Sequence, residues 1–260
     1  MKNPLLLTLL ALILVPPSVA SAQSENAETA YQRKDVTTLL RMANAGDATA
    51  QFRLGYSYAY GEGVAKDDAM AVSWYRKAAD QGNAKAQRNL GYMYDTGSGV
   101  TQDYAAAFSW YRKAADQGNA QAQTSLGYMY QSGQGVAKDD AMAVSWYRKA
   151  ADQGNAGAQT SLGTMYKIGR GTMRDDTTAV SWFRKAADQG DDFAQLKLGF
   201  SYYNGEGIAK DDVQALKWFA LSAAAGNETA KKVRDALASG MSTADILTAM
   251  LPLQVKKYTS

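Results

Sequence analysis

Hydrophobic positions along the chain recur at helical spacing, in pairs of segments separated by a glycine-rich break. Within residues 83–118, the apolar face of the first segment is formed by Ala86, Leu90, Met93 and Tyr94. The apolar face of the second segment is formed by Ala107, Trp110, Tyr111 and Ala114. Because these positions recur at the spacing of one side of a helix, the pattern predicts a pair of amphipathic helices.

The ends of these segments carry the signals that start and stop helices. Asn83 and Asp103 precede the two segments, and their side chains can cap the first backbone N–H groups of a helix. Gly97 and Gly99 interrupt the first helix. Gly118 ends the second, as glycine in the left-handed conformation commonly does. The segment is therefore predicted to form one helical hairpin.

The hairpin pattern repeats every 36 residues. The motif Ala-Gln-x-x-Leu-Gly begins at positions 50, 86, 122, 158 and 194. Tryptophan recurs with the same step, as Trp74, Trp110, Trp146, Trp182 and Trp218. A fixed period of this size is typical of a solenoid of stacked units. We expect the five tryptophans to lie in the core, since they recur without variation on an alanine-rich face.

The glycine-rich break has a second possible meaning, because residues 61–68 read GEGVAKDD. Glycine turns can approach a phosphate, and adjacent carboxylates suit hard cations. However, the segment returns as GQGVAKDD at 133–140 and GEGIAKDD at 205–212, and the other two units carry GSGVTQDY and GRGTMRDD. A binding loop is expected once rather than in every unit, and the Gly-Lys-Ser/Thr ending of a phosphate loop is missing. We interpret the segment as the turn between two helices, with Asp67 or Asp68 as a cap, and predict no metal site.

These signals divide the chain into a repeat array with atypical ends. Residues 23–36 are interpreted as a polar lead-in, and residues 37–46 match only the second helix of a unit. Residues 227–260 begin like a further unit and then diverge into predicted capping helices, as terminal units must cover a hydrophobic end. The predicted fold is an all-α, α/α solenoid of five 36-residue hairpins with an incomplete N-terminal repeat and a divergent C-terminal cap. The solenoid spans 37–226, with full units at 47–82, 83–118, 119–154, 155–190 and 191–226.

Composition narrows the possible functions. The 260 residues include no cysteine and no histidine, which removes thiol nucleophiles, histidine bases, the usual zinc ligands and disulfides. Lys and Arg outnumber Asp and Glu by 28 to 25, with the two signs interspersed. Because nucleic-acid binding normally needs a basic stripe, we expect no nucleic-acid partner. We also predict no cofactor and no catalytic residues.

The N-terminus has the layout of a secretory signal peptide. Lys2 precedes the apolar run LLLTLLALILV at residues 5–15, and the small residues Ala20 and Ala22 follow two prolines. The run is shorter than the roughly 20 residues that a membrane span needs. We therefore predict a signal peptide at residues 1–22, cleaved after Ala22, and a periplasmic or secreted protein without a membrane span. An uncleaved anchor is the alternative.

The pairing of AQRNLGYMYDTGSGV with DYAAAFSWYRKAADQG resembles the Sel-one-like repeat family, a branch of the tetratricopeptide-type α-solenoids. The resemblance covers roughly residues 37–240. It implies a right-handed superhelix of hairpins that acts as a protein-binding scaffold. Similar exported bacterial proteins include adaptors that restrain sensor kinases, polysaccharide export components, and immunity proteins against phospholipase toxins of type VI secretion. Some members of the family are cysteine-rich, and this chain departs from them.

Solenoids usually bind partners on an extended concave surface lined by the first helix of each unit. Positions that repeat are structural, so we assign specificity to exposed positions that vary between units. The candidates are Arg53, Tyr56, Tyr60, Lys85, Asn89, Tyr92, Gln121, Tyr128, Phe193, Lys197 and Phe200. Aromatic and arginine residues commonly carry the energy of protein interfaces. The alternative, which remains open at this point, is that Tyr56, Tyr92 and Tyr128 pack between neighbouring units.

Three kinds of function fit these observations. The first is a non-catalytic binding protein of the periplasm, either a scaffold or adaptor for an envelope complex or sensor kinase, or an immunity protein for a toxin. The second is binding or hydrolysis of cell-wall glycan, for which paired carboxylates such as Asp139 and Asp140 are the only candidates. The third is a spacer without a partner. Because the adjacent carboxylates recur as caps, we favour the binding protein.

Overall fold

The computed structural model describes residues 26–257, with side chains described as far as residue 251. The predicted signal peptide lies outside the described residues. Within them the chain folds into the helices α1 (Ala27–Gln32), α2 (Val36–Asn44), α3 (Ala48–Tyr60), α4 (Asp68–Asp80), α5 (Ala84–Thr96), α6 (Tyr104–Asp116), α7 (Ala120–Ser132), α8 (Asp140–Asp152), α9 (Ala156–Ile168), α10 (Asp176–Asp188), α11 (Asp192–Asn204), α12 (Asp212–Ala224), α13 (Glu228–Ala238) and α14 (Thr243–Lys257). Successive pairs from α3 to α12 pack as five hairpins, which confirms the predicted solenoid.

Asparagine and aspartate caps set the start of every helix in the five hairpins. Asn83 Oδ1 accepts a hydrogen bond from the Ala86 N–H at 3.0 Å, and Asp103 Oδ1 accepts one from Ala106 at 2.9 Å. Gly97 ends α5 in the left-handed conformation, with a φ of 73°. Because losing such an N-cap costs about 1 kcal/mol, these short side chains define the helix limits.

Within each hairpin, a glycine of the first helix faces an aromatic ring of the second. A Cβ atom on Gly91 would lie 2.8 Å from Cδ1 of Tyr111, closer than side chains pack. The same contact occurs in the pairs Gly55–Tyr75, Gly127–Tyr147, Gly163–Phe183 and Gly199–Phe219. The glycine of the Ala-Gln-x-x-Leu-Gly motif is therefore required for close helix packing.

The glycine-rich turns join neighbouring units. A Cβ atom on Gly99 would lie 2.3 Å from the backbone carbonyl carbon of Asp68 in the preceding unit. Gly135 and Gly171 make the same approach to Tyr104 and Asp140. The carboxylates of these segments cap helices, with Asp67 rather than Asp68 at the start of α4. The glycine-rich segment is therefore a packing turn, and in units two to five its second glycine touches the backbone of the preceding hairpin.

A buried glutamine in each first helix links three helices. In unit three, Gln123 Nε2 donates to the Ala115 carbonyl of α6 at 3.1 Å, and its Oε1 accepts from Gln153 at the end of α8 at 2.7 Å. Units one, two and four repeat this pair of bonds. In unit five, Gln195 keeps the first bond only, and its Oε1 has no protein partner. The reason is sequence: Ala225 stands where the other units have glutamine.

Trp74, Trp146, Trp182 and Trp218 are buried, whereas Trp110, which was also expected in the core, is only half-buried and packs against the core cluster that contains Tyr75. One helical turn before Trp110 the chain has Ala106. The corresponding residues in the other units are larger, namely Met70, Met142, Thr178 and Gln214.

Both ends of the array are closed by shorter helices. Residues 23–36, interpreted as a polar lead-in, contain α1, in which Ala27 and Ala30 are buried against α2 and α3. Six residues are too few to show a helical period in the sequence. At the other end, α13 packs on α12 as the first helix of a further unit would, and α14 also contacts α12. Ser242 and Asp245 form capping contacts at the start of α14.

Candidate protein-binding surface

The candidate residues lie at matching positions on the first helices of the units, which are α3, α5, α7 and α11, on the side away from the buried motif. We call these residues the first-helix ladder. Its exposed members are Tyr60, Lys85, Tyr92, Gln121, Tyr128 and Phe193. Its half-buried members are Arg53, Tyr56, Asn89, Lys197 and Phe200. The ladder is therefore a surface, but it is not equally accessible along its length.

Three tyrosines at the centre of the ladder are open to solvent. Tyr60 is 62% exposed, Tyr92 is 51% exposed and Tyr128 is 53% exposed. Of the three rings for which the sequence left packing and exposure open, Tyr92 and Tyr128 are thus exposed and Tyr56 is half-buried. Isolated exposed tyrosines need no explanation, but exposed aromatic rings at matching positions of successive first helices suit contact with another molecule.

The N-terminal end of the ladder is partly covered by α1. Arg53 forms an ion pair with Glu28, and its guanidinium lies 4.5 Å from the ring centre of Tyr31. Tyr56 meets Tyr31 edge-on, with the ring centres 6.0 Å apart. The hydrogen bond from Arg53 lowers the pKa of Glu28, whereas burial and a hydrogen bond to Glu62 raise the pKa of Tyr31 to about 12. Arg53 and Tyr56 are therefore occupied within the chain itself.

The C-terminal end of the ladder mixes an exposed ring with a packed one. Phe193 is 61% exposed. Phe200 instead meets Phe219 edge-on at 5.0 Å and belongs to the wall of the last core cluster. Beside it, a groove of about 390 Å³ runs between α11, α12 and α13, with Tyr203 and Leu237 among its lining residues. Phe200 is thus more a packing residue than a contact residue.

A pocket of about 410 Å³ opens between the first helices of units one and two. Its lining includes Ala59, Tyr60, Tyr75, Arg88, Asn89 and Tyr92. Three of these were assigned from the sequence, and Ala59, Tyr75 and Arg88 were missed. Tyr75 was missed because an aromatic residue stands there in every unit and therefore counted as structural. Ala59 was detectable, since the other units have Asp, Gln, Lys or Tyr at that position.

Paired carboxylates do not converge on a catalytic or metal site in the part of the chain that the structure describes. Asp139 caps α8 through the Met142 N–H, and its neighbour Asp140 binds Arg170 of the next unit at 2.9 Å. The hydrogen bond from Arg170 lowers the pKa of Asp140. Among residues 26–257 there is no cluster of three or more potential metal ligands. None of the helices described has both the length and the apolar character of a membrane span.

Solved structures similar to this chain share its repeat fold. A protective antigen of uropathogenic Escherichia coli with an SLR fold is 39% identical, with a TM-score of 0.78, over 88% of this chain and 53% of that protein. This chain thus spans about half the length of that protein. A Sel1 repeat protein from Oxalobacter formigenes is 36% identical, with a TM-score of 0.76, over 86% of this chain and 92% of the other.

More distant similarity extends to an immunity protein from Pseudomonas aeruginosa. It is 22% identical, with a TM-score of 0.51, over 76% of this chain and 81% of the other, so the likeness concerns the fold alone. No protein with a curated description matches the chain.

The sequence profile of the Sel1 repeat matches five consecutive segments, 48–83, 84–119, 120–155, 156–191 and 192–227. These segments have the 36-residue step predicted from the sequence and begin one residue after the predicted units. Each contains one of the five hairpins. The chain therefore belongs to the Sel1 repeat family.

Proposed function

We propose that this protein is an exported, non-catalytic scaffold that binds a partner protein on the first-helix ladder. Sel1 repeats typically mediate contacts between proteins, which supports the general class. The observation that carries the proposal for this chain is the exposed tyrosine patch of Tyr60, Tyr92 and Tyr128. Rings of this kind bury a large area with few rotatable bonds, and they are enriched among residues that dominate binding energy.

The polar residues beside the patch support specificity for one partner. The position one turn before the central ring is Arg53, Asn89, Ser125, Ser161 or Lys197, according to the unit. A surface that served only as a spacer has no need of such variation. A specific partner, in contrast, requires different polar groups along its length, because unpaired polar groups reject the wrong surface.

Export is supported by the charge, apolar run and small-residue site of residues 1–22. We infer that the mature protein begins at Gln23 and acts in the periplasm. Intact-mass measurement of the protein from its own host checks this: a chain starting at Gln23 is expected, and a chain that retains residues 1–22 would contradict it.

Two roles of the scaffold are distinguished by the identity of the partner. In an envelope adaptor the partner is a sensor kinase or a component of an export complex. In an immunity protein the partner is a secreted toxin, such as a phospholipase. The P. aeruginosa immunity protein has the same fold, so this fold is compatible with the immunity role.

Crosslinking in the periplasm tests the proposal. The tagged chain, residues 23–260, is purified after crosslinking, and bound molecules are identified by mass spectrometry. We expect one stoichiometric protein partner, recovered at least about ten-fold less well by a variant with Tyr60, Tyr92 and Tyr128 changed to alanine, as is usual when interface hot spots are removed. The control variant changes Met70, Met173 and Leu247, which are exposed apolar residues outside the ladder, to alanine.

The same experiment separates the remaining functions. A toxin whose activity the protein abolishes assigns the immunity role, and a membrane-complex component assigns the adaptor role. Recovery of cell-wall glycan without protein, or equal recovery of the partner by the ladder variant and its control, would overturn the proposal.

A further inference from the structure

The pocket between units one and two contains a buried hydroxyl group that the protein leaves without a partner. Tyr75 is 1% exposed and lines the pocket, and its Oη atom donates a hydrogen bond to no protein acceptor within the described residues, although the Asn89 side chain lies beside it. The equivalent hydroxyls of the next two units are bonded. Tyr111 donates to Asp95 at 3.4 Å, and Tyr147 donates to Gln131 at 2.8 Å. A buried hydroxyl without a partner costs about 1–3 kcal/mol, so its retention in unit one calls for an explanation.

Ala59 accounts for both the pocket and the unpartnered hydroxyl. It occupies the position of Asp95 and Gln131, the residues that accept from the corresponding tyrosines. Because alanine has neither the length nor an acceptor, it leaves open the space that the longer side chains fill. Units four and five have Phe183 and Phe219 in place of the tyrosine, so packing there does not depend on a hydroxyl group.

The charge of the pocket favours an anion. Arg88 is the only basic residue at its position in the five units, where the others are Phe52, Thr124, Thr160 and Leu196. Its Nη1 atom donates to the neutral Asn89 amide oxygen at 2.7 Å, and no carboxylate of the described residues pairs with it. The other two charges at the pocket, Lys66 and Asp68, lie 3.5 Å apart and offset each other. The pocket therefore presents one guanidinium beside one unpartnered hydroxyl donor.

We propose that this pocket is a carboxylate subsite that receives an aspartate or glutamate side chain of the partner protein. The carboxylate accepts from Tyr75 Oη and from Arg88, a charge-assisted arrangement suited to the planar guanidinium. Tyr60 and Tyr92 stand at the mouth, where their exposed rings contact the apolar residues that flank the acidic side chain. This inference rests on the proposed function, because it places one contact of the partner on the ladder.

The test uses blocked amino acids as probes, because the partner is unidentified. N-acetyl-glutamate amide and N-acetyl-glutamine amide are titrated into the mature chain labelled with nitrogen-15, and the backbone amide signals of Arg88 and Asn89 are followed. Saturable shifts are expected with the glutamate probe and about ten-fold weaker binding with the glutamine probe, since a hydrogen bond to a charged group is stronger than one to a neutral group.

Variants copied from other units of the same chain provide the controls. Tyr75→Phe reproduces the residue of unit four, and Ala59→Gln reproduces Gln131 of unit three and fills the pocket. We expect each variant to weaken glutamate binding about ten-fold, since each removes a contact with the charged group. Tyr147→Phe removes a bonded hydroxyl outside the pocket and is expected to leave binding unchanged. Thermal unfolding of each variant checks that it remains folded.

Several outcomes would overturn the proposal. Equal binding of the two probes, or glutamate binding that survives in both Tyr75→Phe and Ala59→Gln, would rule out a carboxylate subsite. Acetate, measured in parallel, distinguishes the source of the carboxylate: if it binds at least ten-fold more tightly than the blocked glutamate, the site serves a free acid instead. A partner captured by crosslinking while the probes fail would leave the scaffold function standing and remove only the subsite.

Discussion

At the scale of single residues, glycines and aromatic rings set how closely the helices of a hairpin approach. Gly127 packs directly on the ring of Tyr147, where a Cβ atom would lie 2.5 Å from Cδ1. Gly157 lies two residues after the cap of α9, and a Cβ atom there would meet only Asn155 Oδ1, at 3.6 Å. Packing therefore requires glycine at position 127, whereas there is room for a Cβ atom at position 157.

Replacing these glycines with alanine is expected to have opposite effects on stability. Gly127→Ala forces the ring of Tyr147 to move, and we expect it to lower the free energy of unfolding by about 1–3 kcal/mol. Gly157→Ala meets open space and reduces the freedom of the unfolded chain, so we expect a gain of about 0.4–1 kcal/mol. Urea unfolding followed by circular dichroism measures both. Equal effects of the two substitutions would refute the packing role of Gly127.

A second residue-scale prediction concerns the pH dependence of stability at Asp95. Burial raises the pKa of this carboxyl group above its unfolded value, despite the hydrogen bond from Tyr111. At a pH above the pKa of Asp95 in the folded state, the ionised side chain therefore lowers the free energy of unfolding. This loss of stability disappears when the pH falls below the pKa of Asp95 in the unfolded state. We expect Asp95→Gln to be more stable than wild type at about pH 7, and the difference to vanish near pH 3, below the ordinary pKa of aspartate.

Asp175 provides the control of opposite sign. Hydrogen bonds from Thr178 lower the pKa of this exposed cap, so its contribution to stability is present above the unfolded pKa and is lost as the pH falls through the folded pKa. Asp175→Asn is therefore expected to be less stable than wild type near neutral pH and equal to it in acid. Urea unfolding at a series of pH values measures both variants. The same trend in both would contradict the assigned environments.

At the scale of helices, most of the architecture was predictable from local sequence. Caps such as Asn83 and Asp103, the left-handed Gly97 and the apolar period act within one or two helical turns, so they can be identified without knowing the fold. The short helix α1 was not predictable. Its two buried alanines become a pattern only when α2 and α3 are placed beside them.

The glutamine network leads to a prediction at this scale. Gln195 Oε1 is buried without a partner because Ala225 replaces the glutamine that donates to it in the other units. We expect Ala225→Gln to supply that donor and to raise the free energy of unfolding by about 0.5–1.5 kcal/mol. Ala224→Gln is the control, since this neighbour is exposed at the end of α12. Thermal and urea unfolding compare the two, and an equal effect would exclude the missing bond as the cause.

At the scale of the whole molecule, the main contacts of each hairpin in the described part of the chain are with its neighbours. The second helix of a unit packs on the first helix of the next, and the glycine turn of each unit packs on the unit before it. Stability in such an array is close to a sum of terms for units and interfaces. The number of units can therefore change without changing the fold.

Removing residues 119–154 is expected to leave a folded protein. The deletion joins unit two to unit four, and Gly171 then packs on Tyr104 as Gly135 does. We expect helical circular dichroism per residue to be unchanged and the urea m-value to fall roughly in proportion to the surface removed. Deleting only residues 119–136 removes α7 and leaves α8 without its partner helix. We expect this deletion to broaden or abolish the cooperative unfolding transition. A cooperative transition in this shorter deletion would contradict the additive description.

The sequence by itself determined the family, the hairpin fold, the repeat length and the positions of the ladder, because each depends on signals that recur every 36 residues. The tertiary structure decided which ladder residues are free. Arg53 and Tyr56 contact α1, Phe200 contacts Phe219, and Tyr92 and Tyr128 are exposed within the part of the chain that the structure describes. The tertiary structure also revealed the pocket at Tyr75. This pocket depends on Ala59 and on the ring of Tyr75, which lie 16 positions apart in the sequence and come together only when the two helices of the hairpin pack.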